Sequence, residues 1–306
     1  MKVQWWPFTV FTTLELMKRN AVLAGLAAFA LILSGCSPSA EDSTDSSAAA
    51  ERIVSLSPTA TETLYEIGAG NQVVAVDSNS NVPTDAPRRD FSGFKPNPEA
   101  VLAENPDLVI ASDDTNGLGE ALDAVGVKLL LLPAATSFED AYQQVEKIGE
   151  ATGHRKESQQ VVEEMRTGIS KAVQEVPEKI RNSGLSYFHE ADPSLYSAGG
   201  GTFIGQAYGL LGLKSIAGDS ADYPQLSNEA VIAANPDFIF LADHGSAGGV
   251  TPEAVSARPG WNEIDAVKSN RIEPLDPDLA SRWGPRLPEL IRSIATVLKA
   301  YQPAHA

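Results

Sequence analysis

The chain has 306 residues, 43% of them hydrophobic, with 23 Lys and Arg against 40 Asp and Glu, so its net charge is -17. That length suits two lobes of ordinary size, and that acidity repels phosphate backbones and argues against nucleic acid partners or a basic membrane patch. With Cys36 as the only cysteine no disulfide framework forms, so stability has to come from packing.

Met17-Lys-Arg-Asn20 is a basic start, residues 21–33 are an apolar run, and Leu33-Ser-Gly-Cys36 closes it. The run is shorter than the ~20 residues of a spanning helix, so it reads as the core of a signal peptide and the chain as exported. Cys36, directly behind Leu-Ser-Gly, resembles the site at which bacterial lipoproteins are cleaved and diacylglyceryl-modified; the alternative is an ordinary cleavable signal with a stray thiol. Residues 1–16 precede a better-placed start at Met17 and carry no fold information. Cleavage removes Lys2, Glu15, Lys18 and Arg19 and leaves 20 bases against 39 acids. Residues 37–50 are small, polar and acidic, with nothing to bury, and read as a flexible tether.

From residue 51 the chain alternates. Residues 52–56 are a β-branched run stopped by Ser57-Pro58; Thr59-x-x-Glu62 then has capping-box spacing and opens a helix that ends at Gly68-Ala-Gly70. Strands follow at 72–76, 108–111 and 127–132, with helical segments around 98–104 and 116–125 between them, the order of a parallel sheet covered by helices. Residues 154–176 carry Val161, Val162, Met165, Ile169 and Val173 at helical spacing, a segment about 35 Å long if helical throughout. It is read as a helix connecting two lobes, the alternative being an amphipathic helix within the second. Strands at 184–189, 238–242 and 271–275 and helices at 203–211 and 229–234 then repeat the order of the first half.

One tract states the duplication directly. Glu99-Ala-Val-Leu-Ala-Glu-Asn-Pro-Asp107-Leu-Val-Ile-Ala111 returns, 130 residues on, as Glu229-Ala-Val-Ile-Ala-Ala-Asn-Pro-Asp237-Phe-Ile-Phe-Leu241. A helix turn led by an acid, an Asn-Pro-Asp break and an apolar run form one helix-to-strand unit, and its recurrence implies two similar lobes with a cleft between them. The expected organisation is a signal peptide over 1–35, a lipidated cysteine and tether over 36–50, a first Rossmann-like α/β lobe over 51–153, a connecting helix over 154–182 and a second such lobe over 183–306.

Export, lipidation, two α/β lobes and a helical connector, together with Arg52-Ile-Val-Ser-Leu-Ser-Pro-Thr-Ala-Thr-Glu62, the 97–111 segment and Trp283-Gly-Pro-Arg286, resemble the substrate-binding lipoproteins of ABC importers, in the helix-linked group that serves vitamin B12, haem and iron-siderophores. Within that group Asp278, Arg282 four residues on, and Pro285-Arg286 match the spacing of the cobalamin-binding members. The resemblance implies a ligand site that includes Phe94, Tyr196, Tyr223, Asp278, Arg282 and Trp283, with Asn79 standing where the family uses an aromatic residue. It also implies that Glu99 and Glu229 dock on the two subunits of a permease dimer that works with an ATPase, while Cys36 holds the binding protein, as a monomer, on the outer face of the cytoplasmic membrane or in the periplasm of a Gram-negative cell.

A corrinoid is a broad, mostly apolar ring carrying amides, so aromatic walls and a few polar groups suit it. Ordinary alternatives accompany each assignment: Asp278 and Arg282 as a surface pair, the aromatics as core, the two glutamates as acids favoured by helix dipoles. No Gly-x-Ser-x-Gly elbow and no phosphate loop occurs, and Gly199-Gly-Gly201 lacks the lysine such a loop needs, so no catalysis is expected. Four histidines, His154, His189, His244 and His305, are too few and too scattered for direct metal capture, and no cofactor is expected. His189 and His244, at the C-terminal ends of expected strands, are the residues that a haem reading would place near iron. The leading expectation is a cobalamin carrier; the alternatives are a siderophore or haem carrier of the same group and, from another class, a secreted two-lobed enzyme.

Overall fold

The computed structural model describes residues 49–243 and 249–301. Cys36, the signal segment, most of the tether, His244 and His305 lie outside them. The first half contains β1 (Ile53–Ser55), α1 (Pro58–Glu66), β2 (Val73–Val76), α2 (Pro98–Leu102), β3 (Leu108–Ala111), α3 (Leu118–Asp123), β4 (Lys128–Leu131) and α4 (Phe138–Thr152). Next come α5 (Arg155–Glu175) and α6 (Glu178–Arg181). The second half adds β5 (Ser186–Glu190), α7 (Phe203–Leu210), β6 (Lys214–Ser215), α8 (Asn228–Ala234), β7 (Phe238–Leu241), α9 (Pro252–Ser256), α10 (Asp265–Lys268), β8 (Ile272–Pro274), α11 (Pro277–Ser281) and α12 (Leu287–Ala300).

All strands pair in parallel, in two four-stranded sheets of matching order, β2-β1-β3-β4 and β6-β5-β7-β8. The expected α/β class with two parallel-sheet lobes is what the chain forms. β3 and β7 are buried at every position, so their sequences are continuous apolar runs rather than alternating ones.

The duplicated tract has a local reason in each lobe. Asn105 and Asn235 take left-handed backbone conformations, φ 51° and 46°, which end the helix turn. Two residues on, the Asp107 carboxylate accepts from the amides of Glu51 and Arg52 at 2.8 and 3.1 Å, and that of Asp237 accepts from the Ser186 amide at 2.8 Å. Each Asn-Pro-Asp thus turns the chain and ties its strand to the start of the neighbouring one.

α5 is flanked by α4 and α12. Its apolar face, Val161, Val162, Met165 and Ile169, is buried in a core shared with Tyr142 and Ile148 of α4 and with Leu290, Ile294 and Leu298 of α12. The same core reaches Ile53 of the first sheet and Tyr187 and Phe238 of the second, so a layer of helices joins the lobes. α4, which the sequence reading did not separate from its surroundings, supplies one side of that layer.

Candidate functional site

A cavity of about 630 Å³ opens where the strands of the first sheet end. Leu56 and Ser57 follow β1, Asp77 and Ser78 follow β2, Ser112 and Asp113 follow β3, and all six line it. In the order β2-β1-β3-β4 the chain leaves β1 in both directions, and such a reversal leaves a crevice beyond the strand ends.

The cap of α1 forms the floor. Ser57, not Thr59, is its N-cap, accepting from the Ala60 amide at 3.4 Å, and Pro58 occupies the first helical position. The capping box expected at Thr59-x-x-Glu62 is therefore displaced: Thr59 lies within the helix and Glu62 turns to other partners. Across the mouth runs the 91–97 loop, which passes so close that a Cβ on Gly93 would lie 2.5 Å from Leu56 O and 3.1 Å from Asp77 Oδ2. Only glycine permits that approach. The loop delivers Phe94 to the cavity with 77% of its surface exposed, and Thr115 Oγ1 anchors it by donating to Phe94 O at 3.1 Å.

Asp77 is almost wholly buried in the wall. The Ser80 hydroxyl donates to its Oδ1, and Thr61 links Ser80 to Ser55 at 2.9 Å on each side, a polar chain under α1. Loss of water pushes the Asp77 carboxyl above the usual carboxylate range despite the hydrogen bonds from residues 79 and 80 and the nearby Arg282.

The opposite wall is α11 and the residues after it. Arg282, 9% exposed at its side chain, gives Nη1 to Glu62 Oε1 at 2.5 Å and Nη2 to Asp278 Oδ1 and Asn81 Oδ1 at 2.6 Å and to Asn79 O at 3.2 Å. Asn81 Nδ2 donates in turn to Asp278 Oδ2 at 2.7 Å. The pair expected either at the ligand or on the surface is thus part of a half-buried network facing the cavity. Trp283 lines the same wall, and its indole N–H donates to Gln144 Oε1 at 2.9 Å.

Of the six expected ligand residues, Phe94, Asp278, Arg282 and Trp283 meet at this cavity. Tyr223 lines an adjoining pocket of about 90 Å³ that shares Arg282 and Trp283. Tyr196 lines neither; it stands 40% exposed on the second half, bridged to Gln225. His189, the residue a haem reading would bring to iron, is a core residue away from the cavity, sharing a 2.9 Å hydrogen bond with the Tyr208 hydroxyl; burial pushes its pKa down to about 4. Glu99 and Glu229 are exposed in the first turns of α2 and α8 and make no ion pair among the described residues. Each helix precedes a strand of its parallel sheet, so both acids stand at the end where strands finish and the cavity opens. Asp77, Asn81, Asp113 and Arg88 also line the cavity and went unread. For Asp77 and Asp113 a signal was available, since each acid directly follows or closely trails a β-branched strand at the reversal point.

Among the described residues no helix is long and apolar enough to cross a membrane. Residues 53–279 match the model of a family described as periplasmic binding protein. An uncharacterized ABC transporter substrate-binding lipoprotein of Bacillus subtilis is 35% identical over 255 residues, 80% of this chain and 79% of that one. A cobalamin-binding protein of Halobacterium salinarum is 34% identical over 239 residues, 72% of this chain and 64% of that protein. A solved structure of a possible iron-binding, periplasmic solute-binding protein of Staphylococcus epidermidis superposes with a TM-score of 0.70 at 30% identity, covering 81% of this chain and 98% of that one. With parallel lobes, a helical connector and a cavity beyond the strand ends, the chain belongs to the periplasmic binding protein family and is a substrate-binding protein for ABC import, not an enzyme.

Proposed function

We propose that the cargo is a corrinoid of the cobalamin type. The observation that carries this reading is the charge of the cavity wall. Asp77, Asp113 and Asp278 face Arg88 and Arg282, and the charge of Arg282 is already met by Glu62 and Asp278. A wall with an excess of acceptors opposes an anionic ferric chelate or a ring bearing carboxylates, because burying like charges is costly. It suits neutral amides, which donate to carboxylates and to the side chains of Asn79 and Asn81, while Phe94 and Trp283 offer flat apolar contact. The cobalamin-binding name of the Halobacterium relative supports the same choice.

On this reading the first half supplies the principal wall, and Tyr223 and Tyr196 close on the cargo from the second. Cys36 carries the lipid anchor, and Glu99 and Glu229 meet the two permease subunits, one acid per lobe on a two-fold partner. Calorimetric titration of the lipid-free protein with cyanocobalamin, haem and a panel of ferric siderophores tests the cargo. Saturable one-site heat is expected with cyanocobalamin and none with the anionic ligands; tighter binding of haem or a siderophore would reverse the reading.

A further inference from the structure

The segment that forms the far wall of the cavity belongs to the second half by sequence and to the first by bonding. Leu275 still gives its amide to Leu241 O at 2.9 Å, in the second sheet. From Pro277 to Arg286, every hydrogen bond that a side chain of the segment makes outside it, among the described residues, ends on the first half: on Asn79 and Asn81 after β2, on Gln144 of α4 and on Glu62 of α1. Among the described residues, the 630 Å³ cavity accordingly has no lining residue between 114 and 277.

Glu62 is the centre of that attachment. Its side chain is 4% exposed and lies behind the cavity rather than in its lining. Oε1 accepts from Arg282 Nη1 at 2.5 Å and from Arg286 Nη2 at 2.6 Å, and Oε2 accepts from Arg286 Nε at 2.9 Å. One carboxylate therefore holds two guanidinium groups, one on each side of Trp283. The hydrogen bonds that Arg286 donates to Glu62 raise the Arg286 pKa further, so Arg286 keeps its charge there. Without the carboxylate, two partly buried cations would face each other with no shared acceptor, and the segment between them would leave α1.

We infer that Glu62 is a positioning residue for cargo capture: through Arg282 and Arg286 it fixes Asp278, Arg282 and Trp283 to the first lobe, so that this lobe alone presents a preformed cargo wall. The inference rests on the proposed reading only in taking this cavity as the cargo site.

Glu62→Gln keeps the shape of the side chain but replaces one acceptor oxygen by an NH2 that confronts the guanidinium donors. The full chain labelled with 5-fluorotryptophan gives a cargo-independent readout by fluorine NMR, with the Trp283 signal assigned from Trp283→Phe. Trp261, buried in the second half, is the internal control. The expected result is a displaced or broadened Trp283 signal, an unmoved Trp261 signal, and affinity for whichever ligand the wild type binds reduced roughly tenfold, 1.4 kcal/mol. An unmoved Trp283, equal movement of both signals, or a moved Trp283 with unchanged affinity would overturn the inference. If wild type ignores cyanocobalamin, the cobalamin reading alone falls and the Trp283 comparison still decides the role of Glu62. If Glu62→Gln does not fold, Arg286→Gln, outside the cavity lining, takes its place with the same direction and a smaller effect.

Discussion

At the scale of single residues the molecule turns on a few buried charges. Arg282 serves four acceptors, so Arg282→Ala leaves Glu62, Asp278 and Asn81 short of a partner at once. Breaking such a buried pair costs about 3–5 kcal/mol; urea unfolding of the variant is expected to show a loss of that order, and titration a weaker ligand. His189 gives a pH signature. Its pKa is about 4 in the folded chain against an ordinary 6.5, so the unfolded chain takes up the proton first, and stability present above pH 6.5 is lost as pH falls toward 4. Between pH 7 and pH 5 that amounts to about 2 kcal/mol, which denaturation of the wild type should show and His189→Gln should lack. The residue scale was also the hardest to read from sequence. Thr59-x-x-Glu62 has the spacing of a cap, but the cap is Ser57, and the partners of Glu62 lie 220 and 224 residues away. Local spacing carries no information about a partner that distant. The i,i+4 spacing of Asp278 and Arg282, by contrast, is legible in the sequence, whereas their hydrogen bonds to Asn79, Asn81 and Glu62 across the fold are not.

At the scale of elements the sequence was far more legible. The strands and most helices stand within a few residues of where the alternation of apolar runs and breaks puts them, because buried parallel strands need continuous apolar side chains and Asn-Pro-Asp ends the preceding turn in both halves. The two-residue β6 has no such run, whereas α4 carries end signals of its own, a Ser137 cap, acids Glu139 and Asp140 in its first turn and a left-handed Gly153 behind it, which the alternation of apolar runs does not weigh. The repeat also places Glu99 and Glu229 on equivalent helices, exposed and free of ion pairs among the described residues. Glu99→Ala and Glu229→Ala are expected to leave cargo affinity unchanged and to lower ligand uptake by cells or vesicles carrying the complete importer, the double variant most. Lost affinity in either single variant, or undiminished uptake in the double one, would contradict docking through these acids.

For the molecule as a whole, the helix layer and the crossing of α11 to the first half are the features that, on the proposed reading, decide how cargo is held. α5 packs along α4 and α12 and shares one core with both sheets, which restricts opening between the lobes compared with paired extended strands. The cavity wall is assembled on the first half, with three carboxylates, Asp77, Asp113 and Asp278, against two arginines, Arg88 and Arg282; on the proposed reading the second half need only close over what the first has received. That division was not legible in the sequence, where residues 277–286 belong to the second lobe by position. The most direct test is a crystal structure of the protein with cyanocobalamin. The corrin ring should lie against Phe94 and Trp283, with its amides on Asn79, Asn81 and the cavity carboxylates; a ring seated on the second half, out of contact with Trp283, would contradict the account.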